Sequence, residues 1–175
     1  MIIENQENYF DLFGIASSFI IDEKMLEKKY FELQKQYHPD RLMGKDYEER
    51  ITALHKAAII NDAYKILKDP LNRSEYLLFL NGKLINAEAG GKNPSQELLM
   101  EALDSREELA EAETLEKIKN LEGKTIEEKK QCIEELSNSF SEGNLEKAED
   151  LTLRLKYLEK FLTEIKTKKQ NYETS

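Results

Sequence analysis

Residues 22–41, DEKMLEKKYFELQKQYHPDR, decide how this chain folds. Asp22 opens the stretch as a helix cap, because a short carboxylate can accept from backbone N–H groups that the first turn leaves unbonded. At about 100° per residue, Leu26, Tyr30, Leu33 and Tyr37 fall in one narrow stripe, and Lys24, Lys28 and Lys35 gather on the opposite face. The helix therefore has a core side and a basic side. Pro39 disfavours helical geometry at His38, so the helix ends there and leaves His38-Pro39-Asp40-Arg41 in a loop. Phe31 projects away from the core stripe, and the pattern of this helix gives it no role.

Upstream, Tyr9-Phe10-Asp11-Leu12-Phe13-Gly14-Ile15 reads as a short apolar helix that Gly14 terminates. Downstream, a third helix places Leu54, Ala57, Ile60, Tyr64 and Leu67 on its apolar face and stops at Asp69-Pro70. Two long helices joined by a loop make an antiparallel hairpin. Residues 72–80 read as helical again, and residues 81–93, rich in Gly, Asn and Lys, read as a linker. A second unit starts where Asn93 can cap, Pro94 suits a first helical position and Gln96 can reach back. Its first helix is expected to run to about Leu121. Thr125-Ile126-Glu127-Glu128 looks like the capping box of the next, with Ile133, Leu136 and Phe140 as apolar positions. After a turn at residues 141–144, Ala148, Leu151, Leu155, Leu158, Leu162 and Ile165 line one side of a last helix. The expected fold is all-α: a hairpin unit over 1–80, a linker over 81–93 and a three-helix bundle over 94–175.

Composition agrees, since 35% of residues are charged while Gly and Pro number only 7 and 3. A net charge of −9 argues against a general nucleic-acid or anionic-membrane surface, both of which need clustered Lys and Arg. Cys132 is the only cysteine, which removes an internal disulfide and a cysteine-based zinc site. The amino terminus lacks a basic region leading into an apolar run, and no apolar stretch approaches the ~20 residues that span a bilayer. A cytoplasmic protein is the expectation. His38 and Asp40 could in principle act as a base and its orienter, but no nucleophilic Ser or Cys lies nearby. They also supply only two metal ligands where catalytic zinc takes three. No catalytic residue, metal or cofactor is therefore expected, and His55 and Cys132 read as structural.

Taken together, residues 8–15, the basic helix, His38-Pro39-Asp40-Arg41 and residues 61–70, NDAYKILKDP, resemble the J-domain across residues 8–76. That resemblance implies an Hsp70 partner of the HscA/DnaK type, docked through His38, Pro39 and Asp40 with help from Arg41, Lys24, Lys28 and Lys35, whose ATP hydrolysis the loop stimulates. The Gly/Phe-rich stretch and zinc-binding cysteines of many J-proteins do not follow here. Instead residues 71–78, LNRSEYLL, and 98–109, LLMEALDSREEL, are similar to the HscB co-chaperones of iron–sulfur cluster assembly, in their bacterial form.

The 98–109 segment has a peculiarity of its own. Ala102 and Leu109 lie within about 40° of Leu98, but Leu99, Leu103 and Met100 project at about 100°, 140° and 200° from it, beside Asp104, Glu107 and Glu111. Tyr157 is likewise off the core stripe of the last helix. Periodicity leaves two explanations open: a broad buried face that meets two neighbours, or an apolar binding patch rimmed by acids. Resemblance to HscB implies the patch, and makes Leu99, Met100, Leu103, Asp104, Glu107, Glu111 and Tyr157 the surface that holds an IscU-type cluster scaffold. The chain would then deliver that scaffold to the chaperone. A general J-protein binding unfolded clients is the rival reading.

Overall fold

A computed structural model describes residues 8–38, 44, 46–85 and 90–174. Among them the chain is helical and forms two compact units, Met1–Leu77 and Leu78–Ser175.

In the first unit α1 spans Tyr9–Leu12, α2 Glu23–Gln36 and α3 Tyr47–Lys68, and α4, Pro70–Leu80, runs across the boundary into the second. Asp22 does cap α2, accepting from the Met25 N–H at 3.0 Å. Asp46 does the same for α3 through Glu49 at 2.8 Å. Gly14 takes a positive φ of 61° after α1, a backbone conformation that costs glycine nothing. Asp69 is extended between α3 and α4, as a residue before proline must be, and Pro70 opens α4 where its missing N–H is no loss. Phe10, Phe13, Leu26, Ile60, Ala63 and Leu67 form the buried centre. The buried face of α3 is thus set by Ala53, Ile60, Ala63 and Leu67; Leu54, expected in the core, is 52% exposed. It lies about 135° from the centre of that buried stripe, too far round the helix to share it. His55, expected to be structural, is also exposed.

The second unit contains α5, Gln96–Glu111, α6, Leu115–Ser141, and α7, Leu145–Thr174. Three boundaries differ from the sequence reading. Ser95 rather than Asn93 caps α5, its Oγ accepting from the Leu98 N–H at 3.1 Å. α5 stops at Glu111, ten residues short of Leu121, because Ala112 turns inward and is buried while Thr114 caps a new helix through the Lys117 N–H. Thr125, read as a cap, sits buried in mid-α6 and donates its hydroxyl to the Leu121 carbonyl at 2.8 Å. α6 continues through Gly123 in spite of a propensity cost of about 1 kcal/mol, since its face is packed along α7. Leu109, Ala112, Ile118, Leu121, Phe161 and Ile165 form one core cluster, so α7 contributes Phe161 beyond the stripe that periodicity picked out. The turn at Gly143, φ 71°, joins α6 to α7. Three helices with short connections make the expected bundle.

Candidate functional site

Two surfaces carry the residues singled out by the sequence. On the first unit, α2 is held against α3 by a polar lock. The Tyr30 hydroxyl at 2.9 Å and the Gln34 amide at 2.7 Å both donate to Asn61 Oδ1, and the Tyr30 and Tyr64 rings stack with centroids 4.1 Å apart. Near the loop, the Lys56 ammonium stands 5.8 Å from the centre of the Tyr37 ring. Lys68 donates to the Tyr64 hydroxyl at 3.1 Å, and that bond raises the lysine pKa. At the other end Arg73 is buried, donating to the Leu67 carbonyl at 2.7 Å and lying over Phe19; burial lowers its pKa against the opposing pull of Glu23 and Asp69. The Tyr9 N–H donates to the Tyr76 hydroxyl at 3.0 Å, and burial raises the Tyr76 pKa. The contacts of Tyr30, Gln34 and Tyr37 with α3 hold α2 so that Lys24, Lys28 and Lys35 stand together on its exposed side. His38 is exposed at the start of the loop. Pro39, Asp40 and Arg41 lie outside the described residues.

On the second unit α5 turns Leu98, Ala102 and Leu109 towards α7. Polar clamps reinforce the packing. Arg106 donates to both carboxylate oxygens of Glu164 at 2.9 and 3.0 Å, which raises the arginine pKa, and Arg154 pairs with Glu101 at 3.1 Å. Lys168, reaching from α7, donates to the carbonyls of Leu109 and Ala110 and so satisfies the carboxy-terminal end of α5. The opposite side of α5 is uncovered within the unit: Leu99, Met100 and Leu103 are 46, 55 and 52% exposed. Asp104, Glu107 and Glu111 are exposed beside them. Half-buried Tyr157 instead lines a recess with Leu98, Ala102, Arg106 and Phe161, which none of the six α5 residues lines. At about 40 Å³ the recess is far below the ~300 Å³ of a small-molecule pocket. Cys132 is buried, its thiol contacting the Leu151 carbonyl at 3.4 Å, and burial pushes its pKa up to about 11. Among the described residues no cluster of His, Cys, Asp and Glu could hold a metal ion, and no helix is long and apolar enough to cross a membrane.

The order of a helical hairpin unit followed by a helical bundle is shared with known proteins. Residues 8–76 match the DnaJ domain, and residues 94–166 match the HSCB C-terminal oligomerisation domain. A co-chaperone protein HscB homolog from Aeromonas hydrophila is 35% identical, and one from Vibrio campbellii 34%, each alignment covering 90% of this chain and 94% of the relative. The chain belongs to the HscB co-chaperone family. Its fold agrees with that of HscB from Vibrio cholerae, with a TM-score of 0.84 at 32% identity over 95% of this chain and 99% of that one. Human HscB gives the same TM-score at 28% identity, over 95% and 84% of the two chains. As an HscB-type J-domain protein the chain is a co-chaperone and not an enzyme, and its J-domain implies an Hsp70-type partner.

Proposed function

We propose that this co-chaperone binds an IscU-type iron–sulfur scaffold through Leu99, Met100, Leu103, Asp104, Glu107 and Glu111 on the outward face of α5, with Tyr157 contributing from the separate recess between α5 and α7, and delivers it to an HscA/DnaK-type chaperone in the cytoplasm. The division of labour runs along the chain: residues 1–80 engage the chaperone, 81–93 connect, and 94–175 carry the scaffold. His38, Pro39, Asp40 and Arg41, with Lys24, Lys28 and Lys35, form the chaperone-binding site. Holding both proteins at once raises the scaffold's effective concentration at the chaperone's peptide site while the loop triggers ATP hydrolysis, so that the cluster is released to recipient proteins.

One observation carries the scaffold assignment. Leu99, Met100 and Leu103 stay about half exposed although α5 is clamped onto α7 by its other side, and acidic residues ring them. An apolar patch bounded by charge on a fixed helix is suited to a protein partner, and methionine adapts its flexible thioether to such a contact.

Single-turnover ATP hydrolysis by the chaperone, with and without scaffold, tests the scheme. The wild-type chain should stimulate hydrolysis, and more so with scaffold present. Replacing His38, Pro39 and Asp40 together by Ala should abolish stimulation while leaving helicity and scaffold binding unchanged. Retained stimulation would remove the loop from the mechanism. Capture of many unrelated unfolded proteins in place of the scaffold would favour a general J-protein.

A further inference from the structure

α2 carries an aromatic side chain where its function would seem to need only charge. With Lys24 as the origin and about 100° per residue, Lys35 lies near 20°, Lys28 near 40° and Phe31 near −20°, so all four share an arc of about 60°. Phe31 is therefore a member of the basic face and sits between Lys28 and Lys35 along the helix. It is 55% exposed, whereas Leu26 on the core stripe is 1% exposed, so folding has not consumed the Phe31 ring. Its ring contact is with Tyr30, at 5.4 Å between centroids and tilted by 56°. Tyr30 is itself stacked on Tyr64 and bonded to Asn61. Phe31 thus projects from a backed, rigid platform, and an anchor of that kind loses little side-chain freedom when it is covered.

Lysines and an aromatic ring contribute different things to a docking face. Exposed lysines steer an acidic partner and hasten encounter, but they are depleted from the desolvated centres of interfaces. Aromatic rings are enriched there, because one ring excludes water over a large area. Building on the reading of α2's basic face as the docking surface for the ATPase chaperone, we propose that Phe31 is the apolar anchor of that face and seats in an apolar recess within the chaperone's acidic surface. The lysines choose the partner by charge complementarity and bring it in. Phe31 sets how long it stays.

The test measures association and dissociation rates of the full-length chain with the ATP-bound DnaK-type chaperone, over a series of salt concentrations. Phe31→Ala should raise the dissociation rate about tenfold, with the association rate, its salt slope and the thermal midpoint unchanged. Phe31→Lys is the sharper variant, because it adds a charge to the basic face while removing the ring. It should also dissociate several times faster, and Phe31→Leu should keep most of the wild-type residence time. Overturning results are equally definite. If Phe31→Lys binds as long as or longer than wild type, charge alone governs the face and the anchor does not exist. If Phe31→Ala changes only sedimentation of the chain by itself, the occupant is a second copy. Absence of wild-type binding would overturn the chaperone reading and the anchor together, whereas wild-type binding that slows on reversal of the lysines but ignores Phe31 would overturn the anchor alone.

Discussion

The outward face of α5 and the basic face of α2 are both the uncovered sides of amphipathic helices, yet their chemistry is inverted. α5 has an apolar centre and an acidic rim; α2 has a basic field with one ring inside it. The supports differ in kind as well. α2 is locked to α3 by stacked tyrosines and the shared acceptor Asn61, whereas α5 is held on α7 by two arginine–carboxylate pairs and the reach of Lys168 to its final carbonyls. An interface whose apolar centre is already assembled gains affinity mainly through slow dissociation. One dominated by separated lysines gains mainly through fast, salt-sensitive encounter. Under the proposed function, one surface of each kind would let the chain keep a scaffold while it engages and leaves a chaperone.

The strongest way to break this contrast is to remove the apolar centre of α5. Changing Leu99, Met100 and Leu103 together to Ala should weaken scaffold binding by a hundredfold or more, about 3 kcal/mol, since apolar anchors at an interface centre dominate affinity. The thermal midpoint should stay near that of wild type. A buried control, Leu155→Ala, should instead cost ~2–5 kcal/mol of stability. Should the triple variant melt like the control, the face is core and the scaffold site lies elsewhere.

A smaller effect is expected on the basic side. Reversing Lys24, Lys28 and Lys35 to Glu should slow association with the chaperone by about tenfold at low salt, and the difference should shrink as the Debye length falls below about 8 Å. Scaffold affinity should not change. Association rates that ignore both salt and reversal would leave the lysines as a solvated helix face.

The smallest effect sharpens the role of the clamps. Glu164→Gln removes the charge that Arg106 grips, and because both side chains are about a third exposed, solvent screening limits the loss to roughly 0.5–1 kcal/mol. Scaffold affinity should fall a few-fold through a less well-held α5, while stimulation of the chaperone without scaffold is unaffected. An unchanged scaffold affinity, measured by calorimetry, would show that apolar packing of Leu98, Ala102 and Leu109 positions α5 unaided.

How much of this was legible in advance depended on the range of the interaction. Asp22, Gly14 and Pro70 act on themselves or on residues within three positions along the chain, so the helix ends they govern were readable from the chain. The end of α5 was not. The run from Glu108 to Lys119 contains no proline or glycine and would suit a continuous helix; the break at Ala112 exists because that residue and Ile118 enter a common core with Phe161 and Ile165. Thr125 failed as a cap for a related reason, since packing of α6 along α7 outweighs a local signal worth about 1 kcal/mol.

By itself the sequence determined an all-α chain of two units, the basic stripe on α2 and the apolar residues displaced from the core stripe of α5, because each follows from spacing along a single helix. Only the tertiary structure decided which displaced residues remain uncovered. Leu99, Met100, Leu103 and Phe31 lie off their helices' core stripes and stay exposed, whereas Phe161, equally off its expected stripe, is buried, and Leu54, expected on a core stripe, is exposed. Burial is settled by which helix lies alongside, and that depends on contacts between residues far apart in the chain, such as Tyr30 with Tyr64 and Arg106 with Glu164.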